Sequence, residues 1–335
     1  MLLSDKKLKN LKIITEPSKT NYLITDDEAD ILDSMINGTY FKQIALKSYS
    51  EEEFLKDVFI DEEKYSDLVD LLKYKKNIII QGPPGVGKTY IAKRLAYSLL
   101  GSCDESHLMM VQFHQSFSYE DFIMGFRPTK DGFELKEGPF YKFCKEAEDH
   151  LDEQYFFIID EINRGNLSKI FGELLVLIES DKRGQNLRLI YSNEIFPVPE
   201  NIYLIGTMNT ADRSLAMVDF ALRRRFAFFD MKPAFENGKF KERFLKINDE
   251  KLFKLIECVK ELNKSISNDD SLGEGFEIGH SYFCTNEDLT TSRINAIVKY
   301  ELVPLIKEYW FDDNSQIEKW IKRLYDAINL DKYHK

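Results

Sequence analysis

From residue 77 to about residue 230 the chain repeats one pattern, a short apolar run followed by a stretch in which apolar positions recur every three or four residues. The runs at 77–81, 108–113, 155–160, 201–207 and 226–230 predict buried parallel strands, and the periodic stretches between them predict helices on both faces of one sheet. The expected fold class is therefore α/β, with a five-stranded parallel sheet in an αβα sandwich. Upstream, Ser50 before Glu51, Glu52 and Glu53 reads as a capped helix start, and Tyr65, Leu68, Val69, Leu71 and Leu72 give 62–74 an apolar helical face. That second helix leads straight into the first strand, which places 59–68 to wall one end of a ligand pocket. Residues 187–192 and 194–198 predict a hairpin in which Pro197 and Pro199 limit further pairing. The apolar positions Leu167, Ile170, Phe171, Leu174, Leu175 and Ile178 predict the packed face of a further helix. Past Pro233 helical periodicity takes over, with amphipathic stretches at 244–262 and 294–309, and Trp310, Trp320 and Tyr325 read as packing anchors. There is no internal repeat or low-complexity tract.

Size and charge narrow the picture. At 335 residues and 43% hydrophobic, the chain can bury one large core and a smaller one, so two domains are expected. The net charge of −11, from 46 basic and 57 acidic residues, lacks the overall positive field of a non-specific nucleic-acid binder, although a local basic groove stays open. Residues 1–60 hold 8 Lys/Arg against 11 Asp/Glu and are no DNA-binding arm. Cys103, Cys144, Cys258 and Cys284 are far apart, with neither a CxxC pair nor clustered histidines, so reduced thiols are expected and no zinc site. Met1-Leu2-Leu3 meets Asp5, Lys6 and Lys7 at once, and no apolar run reaches membrane length. A soluble, cytoplasmic protein with no membrane partner is expected. The expected division is a short N-terminal extension at 1–60, a nucleotide-binding domain at 61–231 and a helical domain at 232–335.

The chemistry begins where the first strand ends. Gly82-Pro83-Pro84-Gly85-Val86-Gly87-Lys88-Thr89 stands between the run Ile78-Ile79-Ile80 and a helical pattern opened by Tyr90 and stopped at Gly101. A glycine-rich loop in that place turns successive N–H groups into one concavity, and the helix adds its positive end to the same spot. It is a phosphate-binding loop in which Lys88 lies along the β- and γ-phosphates and Thr89 offers its hydroxyl to Mg²⁺. The third strand ends in Asp160-Glu161. Asp160 is assigned to Mg²⁺ through its water shell, and Glu161 to orienting or deprotonating the attacking water. Asn209, delivered by the fourth strand, is suited to hydrogen-bonding that water or a γ-phosphate oxygen. Three adjacent arginines, Arg223, Arg224 and Arg225, cannot all pack inward at a helix end, so at least one must project and could reach a neighbouring subunit's nucleotide.

These residues, in this order, resemble AAA+ nucleotide hydrolases, whose fold is an αβα domain followed by a helical lid. More narrowly, Asp160-Glu161-Ile162-Asn163-Arg164-Gly165-Asn166 and Met208-Asn209-Thr210-Ala211-Asp212-Arg213-Ser214 look like the motifs of McrB-type proteins. Val111-Gln112-Phe113-His114-Gln115, Tyr119-Glu120-Asp121-Phe122 and Ile278-Gly279-His280-Ser281-Tyr282-Phe283 are similar to that family too, and the likeness runs from about residue 70 to 310. The resemblance implies a homo-oligomeric, usually hexameric ring that hydrolyses GTP with Mg²⁺. Such a ring is stimulated by a McrC-like nuclease subunit, which cleaves the DNA. It makes Asn209 the sensor and Arg224 the trans finger, with Arg225 and Arg223 leaving the register open. Asn163 and Arg164 become the loop that couples neighbours and partner to hydrolysis. Tyr90, Asp212 and His280 join the nucleotide-binding set, His280 from the lid. Longer family members carry an N-terminal domain that reads modified DNA, and 1–60 is too small for one, so the reader is expected on a separate chain or absent.

The guanine preference implied by the family does not come from Asn209, because a sensor faces the γ-phosphate and the base lies at the other end. Two other readings stand beside the GTPase motor. One is an ATP-dependent MoxR-like AAA+ remodelling chaperone, against which the two McrB-type motifs speak. The other is a nucleotide-gated scaffold without turnover, against which Glu161, Asn209 and the arginines speak.

Overall fold

A computed structural model describes residues 46–212, 223–247, 249–284 and 289–329. The chain divides into two units, Met1–Ser48, nearly all of it outside the described residues, and Tyr49–Lys335.

The second unit opens with α1 (Glu51–Asp57), capped by Ser50 and Glu53 in a reciprocal box, and α2 (Glu62–Lys75), capped by Asp61. Then follow β1 (Asn77–Gly82), α3 (Lys88–Leu100), β2 (Leu108–Gln112), α4 (Tyr119–Phe122), the hairpin β3 (Met124–Thr129) and β4 (Gly132–Glu137), α5 (Pro139–Glu148), β5 (Tyr155–Asp160) and α6 (Leu167–Phe171). A second hairpin, β6 (Asn186–Arg188) and β7 (Ile195–Pro197), precedes β8 (Ile202–Asn209) and β9 (Ala227–Asp230). The sheet order is β2-β5-β8-β1-β9, and each neighbouring pair is parallel. This is the α/β architecture expected from the apolar runs.

The runs are unbroken because both faces of the sheet are covered. Ile78, Ile80, Phe156, Ile158 and Ile205 join one buried cluster, and the alternate residues Ile79, Phe157, Ile159 and Leu204 join the cluster on the other face. Tyr49, Phe54, Leu55 and Val58 belong to the first of these, so α1 is part of the body that holds the sheet.

Three local expectations change. Residues 124–137 form a hairpin that the apolar pattern did not announce, because all but its first two residues are at least partly exposed. After β5 the helix is cut short: α6 ends at Gly172, and Gly172–Leu175 continues as a 3-10 turn. The stretch 244–262 is two helices, α7 (Gly238–Ile247) and α8 (Glu250–Ser267), since Asp249 caps the second by accepting from the Lys251 and Leu252 N–H groups. The lid continues with α9 (Thr291–Ala296), a π-helical turn at Ile297–Leu302, α10 (Val303–Tyr309) and α11 (Asn314–Ala327). Trp310 and Trp320 are buried in its core as expected, Tyr325 packs against it, and Trp310 Nε1 donates to Asp269 at 2.8 Å. Among the described residues no helix is long and apolar enough to cross a membrane, and no group of three or more His, Cys, Asp or Glu is placed to hold a metal.

At the other end of the sheet from the glycine-rich loop, buried Asn77 ties three segments together. Its Nδ2 donates to Ile178 O at 2.6 Å and Arg225 O at 3.0 Å, and its Oδ1 accepts from Arg183 at 2.6 Å. Arg183 is itself buried, and burial pushes its guanidinium down to about 10. Asn77→Ala strands two carbonyls and the Arg183 donor, so a loss of about 2–4 kcal/mol is expected by urea denaturation.

Candidate active site

The ends of β1, β5 and β8 and the start of α3 converge on one chamber of about 250 Å³. Gly87 caps α3 with φ 81°, a left-handed conformation that a side chain resists, and this aims the helix's free N–H groups at the chamber. Lys88 follows and is buried. Its ammonium donates to Gly82 O at 3.0 Å and Pro83 O at 2.8 Å, and burial pulls its pKa down to about 8 against the opposing pull of Asp160, Asp212 and Glu161.

The two acids are held differently. Asp160 Oδ1 accepts from the Thr89 hydroxyl at 2.7 Å and also from the Thr207 hydroxyl, so the strand-end carboxylate is fixed from the loop and from β8 at once. Glu161 leaves the strand with φ 52° and ψ 46°, uncommon for a residue with a side chain, and its N–H donates to Thr207 Oγ1 at 3.2 Å. That turn swings its carboxylate sideways, where Oε2 accepts from Gln112 Nε2 at 3.1 Å and pairs with Arg164 Nε at 2.8 Å. Both donors use Oε2, and among the described residues no donor reaches Oε1. Arg164 also reaches Asp212 at 3.6 Å, and Asn163 is buried with its Oδ1 unpartnered among the described residues. Asn209 sits at the end of β8 in register with Gly82 and lines the chamber.

The lid closes the chamber by backbone contact. Gly279 N–H donates to Pro84 O at 3.1 Å and Ser281 N–H to Gly85 O at 2.9 Å. A Cβ on Gly279 would stand 2.0 Å from the Gly85 carbonyl, so no larger residue permits this approach. Thr210 Oγ1 donates to Gly275 O at 3.1 Å beside it.

His280 lies outside the phosphate chamber. Its Nδ1 accepts from the Ala234 N–H at 3.0 Å, and its ring packs edge-on against Phe59 and Phe240, on the wall of an adjoining cavity of about 170 Å³. Tyr90 and Gly87 line both cavities. The arginines are also separated. Arg225 is only 5% exposed, with Nε on Leu175 O at 2.8 Å and a guanidinium nitrogen 2.7 Å from Glu179, so burial withdraws it from any projecting role. Arg224 is 70% exposed and reaches the same carboxylate at 3.2 Å. Arg223 lies 5.8 Å from the Phe228 ring. Arg213, Ser214 and residues 219–222, which belong to the expected motifs, lie outside the described residues.

Two contributors had weak signals in the sequence. Thr207 is a lone hydroxyl in an apolar strand, and Gln112 is the polar last residue of β2; both touch the acids only because the strands are adjacent.

Residues 77–226 match an AAA domain of the dynein-related subfamily, and residues 254–318 match the McrB alpha-helical lid domain. The chain is 51% identical over 290 residues to the Type IV methyl-directed restriction enzyme EcoKMcrB subunit of Escherichia coli (strain K12), an alignment that covers 83% of this chain and 63% of that protein. It is 26% identical over 194 residues to the Type II restriction enzyme BsuMI component YdiS of Bacillus subtilis (strain 168), covering 46% of this chain and 56% of that one. The chain thus spans less than two thirds of each relative.

Burial pulls His280 down to about 4, from an ordinary value near 6.5, so the unfolded chain binds the extra proton between those values. The stability from this neutral, buried ring is complete above about pH 6.5 and drains away as pH falls toward 4, by an amount on the order of 3 kcal/mol. Denaturation midpoints across that window should fall more steeply for the native chain than for His280→Asn, which keeps an acceptor for Ala234.

Proposed function

Because the chain belongs to the McrB-type AAA+ proteins, with an AAA domain over residues 77–226 and a McrB-type lid over residues 254–318, we propose that it is a GTP-hydrolysing ring motor. In this reading it assembles with a McrC-like endonuclease to drive DNA translocation and the cleavage of modified foreign DNA. The observation that carries the reading is the convergence of Lys88, Thr89, Asp160, Glu161 and Asn209 on one chamber, in a chain half identical to a restriction-enzyme subunit.

Thr89 and Asp160 fit Mg²⁺, since two hard oxygens already lie 2.7 Å apart beside the loop. Bound there, the ion would offset charge on the β- and γ-phosphates. Lys88, desolvated and held on carbonyls, exchanges those neutral acceptors for charged phosphate oxygens, which favour its protonated form. Glu161 orients or deprotonates the attacking water through the oxygen its two protein donors leave open. Asn209 holds the same water or a γ-oxygen from the end of the adjacent strand β8. Arg164, bridging Glu161 and Asp212, sits where a neighbour or a partner protein could draw it off the catalytic acid. Arg224 is the trans finger, because it projects while Arg225 is locked inside on Glu179.

Steady-state phosphate release with GTP and with ATP, over a range of protein concentrations, tests the reading. A GTP preference with specific activity rising with concentration supports a ring, whereas an ATP preference overturns the GTPase and moves the chain to the remodelling chaperones. Glu161→Gln should keep nucleotide binding and lose about 10²–10⁴-fold in turnover. Arg224→Ala should lose about 10³-fold or more while monomer binding is spared. Mixed with Glu161→Gln subunits it should regain activity, and failure of that rescue would remove the finger from its trans position.

A further inference from the structure

Glu179 lies between the 3-10 turn at Gly172–Leu175 and the hairpin strand β6, and one of its oxygens is shared by two adjacent arginines. Its Oε1 stands 2.7 Å from a guanidinium nitrogen of Arg225 and 3.2 Å from one of Arg224. The two contacts differ in what else holds them. Arg225 is buried, and its Nε donates to Leu175 O at 2.8 Å, whereas Arg224 is 70% exposed. The backbone beside both members of the buried pair is fixed from one point, because Asn77 Nδ2 donates to Ile178 O, just before Glu179, and to Arg225 O. Arg183 Nε donates to the same Ile178 O at 3.1 Å. Glu179 and Arg225 therefore form a fixed bracket, and Arg224 is the arm that it carries.

The bracket stands at Asn77, where β1 starts, and the subunit's own phosphate loop begins at Gly82, where β1 ends. At about 3.3 Å of rise per residue these ends lie roughly 17 Å apart, farther than a guanidinium reaches from its own backbone. Arg224 therefore serves another subunit's nucleotide or none.

We propose that Glu179 is the positioning residue for Arg224: it holds that guanidinium poised at the subunit surface and releases it to a neighbour's triphosphate, while Arg225 stays behind as its counter-charge. This rests on the trans-finger reading of Arg224 given above. An exposed ion pair is weak, and charged phosphate oxygens accept more strongly from a guanidinium, so Arg224 can leave the carboxylate for a nucleotide. Glu179 is only 22% exposed, and a carboxylate withdrawn from water is destabilised when its partner departs. Arg225, locked on the same oxygen, removes that penalty. Before release the bracket limits the rotamers of a long side chain, so less conformational freedom remains to be lost when the finger engages. The doublet thus divides its labour, with one arginine fixed so that its neighbour is free to move.

The test reads GTP turnover at protein concentrations where activity per subunit has levelled off, for each variant alone and mixed with Glu161→Gln subunits, which bring an intact finger but no acid. Glu179→Gln should bind GTP at low protein concentration as the wild-type chain does. Its turnover should fall about tenfold, less than in Arg224→Ala, because the finger is misplaced and not removed. Mixing it with Glu161→Gln subunits should raise turnover above the average of the two. Adding Arg224→Ala to Glu179→Gln should lower turnover no further than Arg224→Ala alone. A merely structural role for Glu179 gives neither of these last two results. Should Glu179→Gln fail to bind GTP, Glu179→Asp takes its place with the same expectations, since it keeps a counter-charge for Arg225 but ends one carbon short of Arg224. If Arg224→Ala itself gains nothing from Glu161→Gln subunits, the trans-finger reading falls and this proposal with it. If Arg224→Ala is rescued while the Glu179 variant keeps wild-type turnover, the Glu179 assignment alone is overturned. A loss that mixing does not restore, or that Arg224→Ala does not mask, overturns it equally.

Discussion

The chamber exists because a lid backbone lies directly on the glycine-rich loop. Two hydrogen bonds, from Gly279 and Ser281 N–H to Pro84 and Gly85 carbonyls, hold this contact, and the missing side chain at Gly279 allows it. Everything that could touch a nucleotide is arranged around that seam. The sheet ends bring Asp160, Glu161 and Asn209 from below, α3 brings Lys88 and Thr89 from one side, and the lid covers the top. The contact uses main-chain groups of the same loop whose other N–H groups cradle phosphate. Opening the lid and loosening the phosphate cradle are therefore mechanically linked, which suits a cycle in which lid position follows nucleotide state.

The chamber sets one buried ammonium, Lys88, beside the carboxylates of Asp160 and Glu161. Burial lowers the Lys88 pKa to about 8, and its ammonium donates to two neutral carbonyls. Across from it, Asp160 is fixed by two hydroxyls that can turn their lone pairs toward a cation as readily as they now donate. Glu161 is the strained member. Its left-handed backbone is affordable because Thr207 receives its N–H, and the result is a carboxylate swung off the strand axis onto Gln112 and Arg164. A single hydroxyl on β8 thus serves both acids, holding one in line and letting the other turn.

Much of this was legible along the chain for a physical reason. A parallel sheet covered on both faces needs unbroken apolar strands, so Ile78 to Ile80 and Phe156 to Ile159 announce themselves, and the residues that end such strands must lie at the ligand edge. What escaped was anything set by strand adjacency or by partial burial. Gln112 meets Glu161 because β2 lies beside β5, a relation no local pattern encodes. The hairpin at 124–137 is largely exposed, so its apolar positions lack a period to follow. The break between α7 and α8 turns on one aspartate cap, Asp249, inside a stretch whose apolar spacing runs on. The triplet of arginines could not be resolved by spacing either. Burial separates them, since Glu179 draws Arg225 inward and leaves Arg224 at the surface.

The phosphate chamber and the adjoining cavity share the glycine-rich loop and the start of α3, and differ in what else walls them. The phosphate chamber stands on the sheet, where Asp160 and Asn209 are strand termini. The adjoining cavity adds Asp57, Val58 and Phe59 at the end of α1 and His280, Ser281 and Cys284 from the lid to the loop and α3 residues Val86, Gly87, Tyr90 and Ile91. A rigid phosphate end suits chemistry that depends on sub-ångström placement, since a misplaced carboxylate or amide forfeits the orientation it supplies.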